Sequence, residues 1–446
     1  GALELMGWSA ATYQYGMLAV HWYWIGASPA ILFLGIFMMP FYHVSRTHSV
    51  PGYLKLRFGE PARVLSAVTF VAMTLLASGI SMYSMGLVLE TFLGWDFNTS
   101  VAITAATVCA DVVMGGLTSA IFNEIIQFCL IWAGSLLIPI IGLIEVGGWN
   151  NLVQKVGERA AALTAPGEPV LDRLHIWSTM GSGADNPMGM HWLGIAFGLC
   201  FVISAGYWTG DFLVVQRVLT AKDLRSAKMA PIIGSYFKMA IPFIVIVPGL
   251  IGFALLPNLQ PASAGVSPSE SYNAVLPLLM QRYFGPGMLG LGMLALIAGF
   301  MSGMAGNVSA FATVWTYDLY RSLLKPGASD RHYLNMGRIC TVLGVAISIA
   351  TTYIVMHFSS IMDYMQALFS FFIAPLFATL LLGMFWRRTT ATAGFWGLLL
   401  GMGTSIGIFM SVRFGVLDPR YVTMSDNASA IAVYGIFCIL LTSCPS

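Results

Sequence analysis

Residues 283–317 read YFGPGMLGLGMLALIAGFMSGMAGNVSAFATVWTY and contain no Asp, Glu, Lys or Arg. About 20 predominantly apolar residues carry a helix across the hydrocarbon core of a bilayer, so this stretch is long enough with residues to spare. Residues 64–89, 339–362, 364–386 and 389–412 share the property. A water-soluble helix keeps a charged face opposite its apolar stripe, and these runs have none. The whole chain agrees: 57% of its 446 residues are hydrophobic and 9% are charged, against about 25% charged in a typical soluble protein. Inside lipid the backbone has no water to bond to, so the spans must be helices. Composition therefore reads as an all-α integral membrane protein, with the lipid bilayer as its solvent.

Working outward, apolar segments separated by charged or turn-rich linkers predict twelve membrane elements. They fall near residues 1–22, 23–43, 64–93, 97–116, 119–146, 191–214, 229–256, 287–318, 337–357, 361–386, 390–412 and 429–444. Gly115-Gly116 marks a tight turn between the fourth and fifth, and residues 147–190 and 257–286 form long polar connections. The chain opens with Gly1 inside an apolar segment and stops shortly after one, so flanking sequence is expected beyond both ends.

Lys and Arg concentrate on the cytoplasmic side of membrane proteins. Fourteen of the 21 cations lie in the linkers 44–63, 215–228 and 319–338 and at Arg387-Arg388. Six lie on the opposite side, and Lys238 falls within a span. The asymmetry puts the first set inside and both long polar loops outside. The first ten elements divide five and five at loop 147–190. Two halves with an odd number of spans enter the membrane from opposite sides, as inverted repeats do. The chain then reads as one polytopic domain: a first repeat at 1–146, a second at 191–386 and additional helices over 387–446.

Net charge is +2 and no basic face points to nucleic acid. The six cysteines form no CxxC pair, so neither a disulfide framework nor a zinc site is indicated. No HExxH or comparable carboxylate and histidine cluster supports a membrane enzyme.

Ionisable residues deep in a span are costly and face a polar interior. Glu4, His21, Asp111, Glu124, Asp211, Lys238 and Asp363 are such residues. His21 lies in the aromatic run His21-Trp22-Tyr23-Trp24 and reads as an anchor, and the three aspartates read as helix-end or interhelical partners. Lys238 stands alone between long uncharged runs, which leaves a functional role or a carboxylate partner. The stretch Gly299-Phe300-Met301-Ser302-Gly303-Met304-Ala305-Gly306-Asn307 allows close helix approach. It equally offers a hydroxyl and backbone carbonyls as hard oxygen ligands for sodium, with Glu124 to balance the charge.

At these residues the chain resembles the sodium/solute symporter family, most closely its sugar-transporting branch. The similar blocks are Ser49-Val50-Pro51-Gly52-Tyr53 through Gly59, Gly115-Gly116-Leu117 through Glu124 and Gln127, and Tyr207-Trp208-Thr209-Gly210-Asp211 through Arg217. Thr316-Tyr317-Asp318-Leu319-Tyr320 and Phe385-Trp386-Arg387-Arg388 complete them. The resemblance implies a LeuT-type five-plus-five bundle with two broken helices around a midplane site. It also implies multi-pass residence in the cell membrane and symport of a small solute with a sodium ion as the coupling ion, without an organic cofactor. The implied sodium residues are Gly299, Ser302, Gly303 and Glu124. This chain has Ser302-Gly303 where the family has consecutive serines, and Glu124 where it has Asp. The implied substrate residues are Glu4, Tyr23, Ser204, Tyr207, Lys238 and Gln366. Glu4 stands where the family has Gln, Tyr23 where it has Glu, Gly26 a Ser, Ala77 an Asn and Ser204 an Asn. Fewer polar partners point to a modified sugar, a smaller polyol or another organic solute. A solute sensor and a proton-coupled or uncoupled carrier of the same fold are the alternatives.

Overall fold

Six helices begin at a side-chain oxygen that accepts from a backbone amide three residues on. The pairs are Ser49 with Gly52, Asp96 with Thr99, Asp223 with Ser226, Ser329 with His332, Ser360 with Asp363, and Thr390 with Ala393. Each such cap satisfies an amide that the helix cannot. The computed structural model describes residues 2–45, 47, 49–177, 186–188, 192, 194–212, 214–215, 221–263 and 266–417. The side chains of 2–3, 111, 113–127 and 199 fall outside that description.

In chain order the helices are α1 (Ala2–Tyr15), α2 (Trp22–Ser45), α3 (Val50–Phe58), α4 (Glu60–Leu93), α5 (Phe97–Val146), α6 (Trp149–Leu163) and α7 (Gly194–Gly210). They continue as α8 (Leu224–Leu255), α9 (Val275–Tyr283), α10 (Pro286–Leu324), α11 (Asp330–Val355), α12 (Ile361–Phe385) and α13 (Ala391–Arg413). Among the described residues, 8 stretches are long and apolar enough to cross a membrane, and two shorter apolar ones, Phe97–Ala110 and Gly194–Gly210, accompany them. The element expected at 429–444 lies outside the described residues.

Three differences from the sequence reading have physical reasons. The first span ends at Tyr15 and not near residue 22, because Gly16 adopts φ +72 and a short 3₁₀ turn over Gly16–Val20 redirects the chain. The polar connections and the 44–63 linker contain α6, α9 and α3, whose polar faces hid them from a search for apolar runs. Gly115-Gly116 does not interrupt the helical backbone, which is continuous over α5. Asn98 bonds Tyr353 at the end of α11, and Glu145 pairs with Arg282 at the end of α9, while Phe128 and Trp132 pack on Phe237 of α8.

One end of the bundle gathers the cation-rich linkers. Arg63 bonds Glu60, the Asp318 carbonyl and Ser322, and Arg57 donates to the carbonyls of Gly383, Trp386 and Thr389 at the end of α12. The other end gathers both long polar connections. There Arg159 reaches the carbonyls of Phe253 and Leu256 and the Tyr13 hydroxyl, and Met17 donates to the Arg173 carbonyl. Burial lowers the Arg173 guanidinium pKa against the pull of nearby Tyr272. Among the described residues, the linkers at 44–63 and 319–338 and the end of α12 thus meet through Arg57 and Arg63, and the 147–190 connection meets the ends of α1 and α8 through Arg159.

Candidate functional site

Two of the candidate side chains, Tyr23 and Ser204, sit where helices are locally widened. Turns with i→i+5 bonding cover Trp22–Ala27 in α2, Gly194–Ser204 in α7 and Phe369–Ile373 in α12. Such turns insert one extra residue and re-aim side chains, and they are frequent at functional sites. Tyr23, Ser204 and Phe369 belong to them. Just beyond the α7 turn the helix stops altogether: Gly210 is its last residue, Asp211 is extended with ψ 118, and helical bonding restarts from the Asp211 carbonyl to the amides of Val214 and Val215. At the break the Thr209 carbonyl accepts from the Tyr42 hydroxyl at 2.8 Å.

Five helices contribute to one buried cluster. Lys238 of α8 forms an ion pair with Glu4 of α1, and its ammonium lies 5.2 Å from the centroid of Tyr23 (α2) and 5.0 Å from that of Trp208 (α7). Trp208 meets Tyr207 edge-on at 5.3 Å, and Tyr207 stacks on Phe369 of α12 at 4.9 Å and 28°. Gln366, one turn before Phe369, is 4% exposed and its Oε1 accepts no hydrogen bond. Ser204 faces α2 closely enough that a Cβ on Gly26 would lie 2.5 Å from its Oγ. Of the two readings of Lys238, the carboxylate partner is present, and it lies inside the cluster that holds the other expected substrate residues.

Glu4, Tyr23, Tyr207 and Lys238 are thus linked by contacts, with Gln366 one helical turn from Phe369 and Ser204 one turn from Tyr207. Trp208 and Phe369 were not singled out from the sequence. Trp208 lay within a quoted block, and Phe369 is three residues after Gln366, the spacing that puts two side chains on one helix face. The remaining ionisable candidates separate from the cluster. His21 Nε2 contacts the Ile176 carbonyl at 2.7 Å and its ring packs on Trp177, an anchor to the outer connection. Asp363 accepts from the Tyr15 hydroxyl at 3.0 Å, tying α12 to α1. Asp111 lies outside the described side chains.

On α10, Gly299 is buried and Ser302 and Gly303 are half-buried. A Cβ on Gly303 would meet only Ser81 Oγ of α4, at 3.6 Å. The side chain of Glu124 lies outside the described residues. Among the described residues no group of three or more His, Cys, Asp or Glu side chains could hold a metal ion.

Against solved structures, the chain matches that of a Na+-coupled sialic acid symporter in a substrate-bound outward-open state. The TM-score is 0.76 at 19% identity, covering 99% of this chain and 86% of that one. The likeness defines the class: a multi-pass membrane bundle of the LeuT type. The sequence profile of the sodium:solute symporter family matches residues 1–401, and the chain belongs to that family. It is 30% identical over 411 residues to sodium/glucose cotransporter 4 of Danio rerio, covering 88% of this chain and 61% of the relative. Identity to the sodium/mannose cotransporter SLC5A10 of Bos taurus is 30% over 394 residues, covering 84% and 64%. A sodium/glucose cotransporter of Vibrio parahaemolyticus is 24% identical over 430 residues, covering 94% and 76%. The chain thus spans less than two thirds of the first two relatives. All three are named as transporters, not as enzymes.

Proposed function

We propose that the protein is a sodium-coupled symporter of a small, polar, neutral solute, a sugar or sugar-like polyol, working by alternating access in the cell membrane. The observation that carries the reading is the buried cluster on five helices. It combines a stacked aromatic, Tyr207 on Phe369, with an unmet amide acceptor, Gln366 Oε1. An unpaired buried polar atom costs about 1–3 kcal/mol, and a solute hydroxyl arriving beside Gln366 supplies the missing donor. The aromatic faces suit the apolar side of a sugar ring, while Ser204 and the Glu4–Lys238 pair offer further donors and acceptors. The family and its sugar-named members support the same substrate class.

Sodium binds, in this reading, at Gly299, Ser302 and Gly303 of α10 with Glu124 balancing its charge. Residues 1–146 and 191–386 act as the two inverted repeats, the cation-rich end faces the cytoplasm, and the broken helix α7 moves between them. Solute binding to the purified protein tests the reading of the cluster. Titration with hexoses, linear polyols and monocarboxylates, with and without sodium, should give sodium-enhanced binding confined to neutral polyhydroxyl compounds. Binding of carboxylates alone, or binding indifferent to Gln366→Ala, would show that this cluster is not the solute site.

A further inference from the structure

The Lys238 ammonium occupies a three-sided enclosure. One wall is the Glu4 carboxylate, and the other two are the faces of Tyr23 and Trp208. Lys238 is 8% exposed and Tyr23 is fully buried. Each wall acts on charge and not on the shape of a lysine. The carboxylate supplies Coulombic attraction, and an aromatic face carries a negative quadrupole that draws a cation held within about 6 Å of its centroid. The three walls come from α1, α2 and α7, whereas the lysine comes from α8. The enclosure is therefore built by elements other than the one that fills it, and Tyr23 is held in turn by Trp8, whose ring lies 5.5 Å away.

We propose that Glu4, Tyr23 and Trp208 form a monovalent-cation site within the cluster, and that Lys238 fills it as a tethered counter-ion in place of a diffusible one. The ligand class is a primary ammonium. Two aromatic walls favour a weakly hydrated organic cation over a strongly hydrated alkali ion, which would have to shed its water against rings that cannot replace it. The consequence for transport rests on the symport reading above. The cluster keeps Glu4 neutralised without drawing an ion from the gradient, so the solute meets a pair with no net charge and a neutral solute is preferred.

The experiment is done on the purified full chain in detergent, without any gradient. Lys238→Ala removes the ammonium and most of its stem, leaving space that n-propylammonium fills. In this variant n-propylammonium should quench tryptophan fluorescence saturably and raise the melting temperature, while n-propanol, of the same shape without charge, should do neither. The wild type, whose site is filled, should respond at least tenfold more weakly. Adding Glu4→Gln to Lys238→Ala should abolish the response, and adding Trp208→Phe, which removes the site's tryptophan but keeps an aromatic face, should retain the rise in melting temperature. Equal responses to n-propanol and n-propylammonium, or a response that survives Glu4→Gln, would overturn the proposal. Should Lys238→Ala not accumulate as folded protein, its recovery on solubilisation with n-propylammonium but not with n-propanol supports the site, and recovery with neither contradicts it. Because binding is read on isolated protein, a negative result leaves sodium-driven uptake by the wild type unaffected. Failure of that uptake would equally leave the binding result standing.

Discussion

Removing both Glu4 and Lys238 should cost less than the sum of the two single changes. The pair joins α1 to α8 within the cluster, and the two side chains are 26% and 9% exposed. Removing one partner of a fully buried pair costs about 3–5 kcal/mol, because the other charge is left without compensation, whereas a fully exposed pair contributes about 0–1 kcal/mol. The quarter-exposed carboxylate places this pair between those limits. Lys238→Met strands Glu4 and also removes the cation from two aromatic faces, so a loss of about 3 kcal/mol is expected. Glu4→Gln keeps an acceptor for the ammonium and both rings, so about 1–2 kcal/mol is expected. The double variant leaves neutral, similarly shaped groups and should lose only about 1–2 kcal/mol, not the sum of the two. Unfolding by SDS in mixed micelles, followed by circular dichroism, measures the cycle. Losses that add, with a coupling below about 0.5 kcal/mol, would show that the two charges do not sense one another and would remove the basis for a neutralised cluster.

Further outcomes follow from other positions. Ser302→Ala should raise the sodium concentration for half-maximal uptake several-fold, and Gly303→Ser should lower it, because the added Cβ meets only Ser81 Oγ at ordinary contact distance. No change in sodium activation in either variant would place the ion elsewhere. Tyr207→Ala should leave solute binding measurable but reduce accumulation, since its stacking on Phe369 is one of the contacts between the broken helix and α12; wild-type accumulation would show that the ring only packs. Gly79→Ala drives a methyl to 2.7 Å from the backbone of Thr351 between α4 and α11. It should cost about 1–3 kcal/mol by overpacking, read as a lower SDS midpoint without a change in half-saturating solute.

The spans were legible because lipid imposes one simple demand, a long run without charge, and residues 283–317 or 364–386 meet it in any reading. Charge sorting was legible for the same reason: the Lys and Arg linkers converge on one end through contacts such as Arg57 with the end of α12. The short helices α3, α6 and α9 were not, since none of them is a long uncharged run. The break after Gly210 carries no distinctive local residue signal, because Asp211 becomes extended through its tertiary surroundings. Within the site, the separate residues were visible but their pairing was not. Glu4 and Lys238 are 234 positions apart, and only the closing of α1 against α8 makes a carboxylate and an ammonium into one neutral unit. Trp208 was hidden behind its neighbour Tyr207, since a cation–π contact depends on ring orientation that spacing does not encode.

Sodium-coupled symport is measured by accumulation of the solute against a gradient. Purified protein in sealed proteoliposomes, given an inward sodium gradient and a radiolabelled neutral hexose or polyol, should concentrate the solute above its external level. A sodium ionophore should abolish that accumulation, and potassium should not replace sodium. Uptake that proceeds equally without sodium, follows an imposed pH gradient instead, or only equilibrates the solute would contradict sodium-coupled symport.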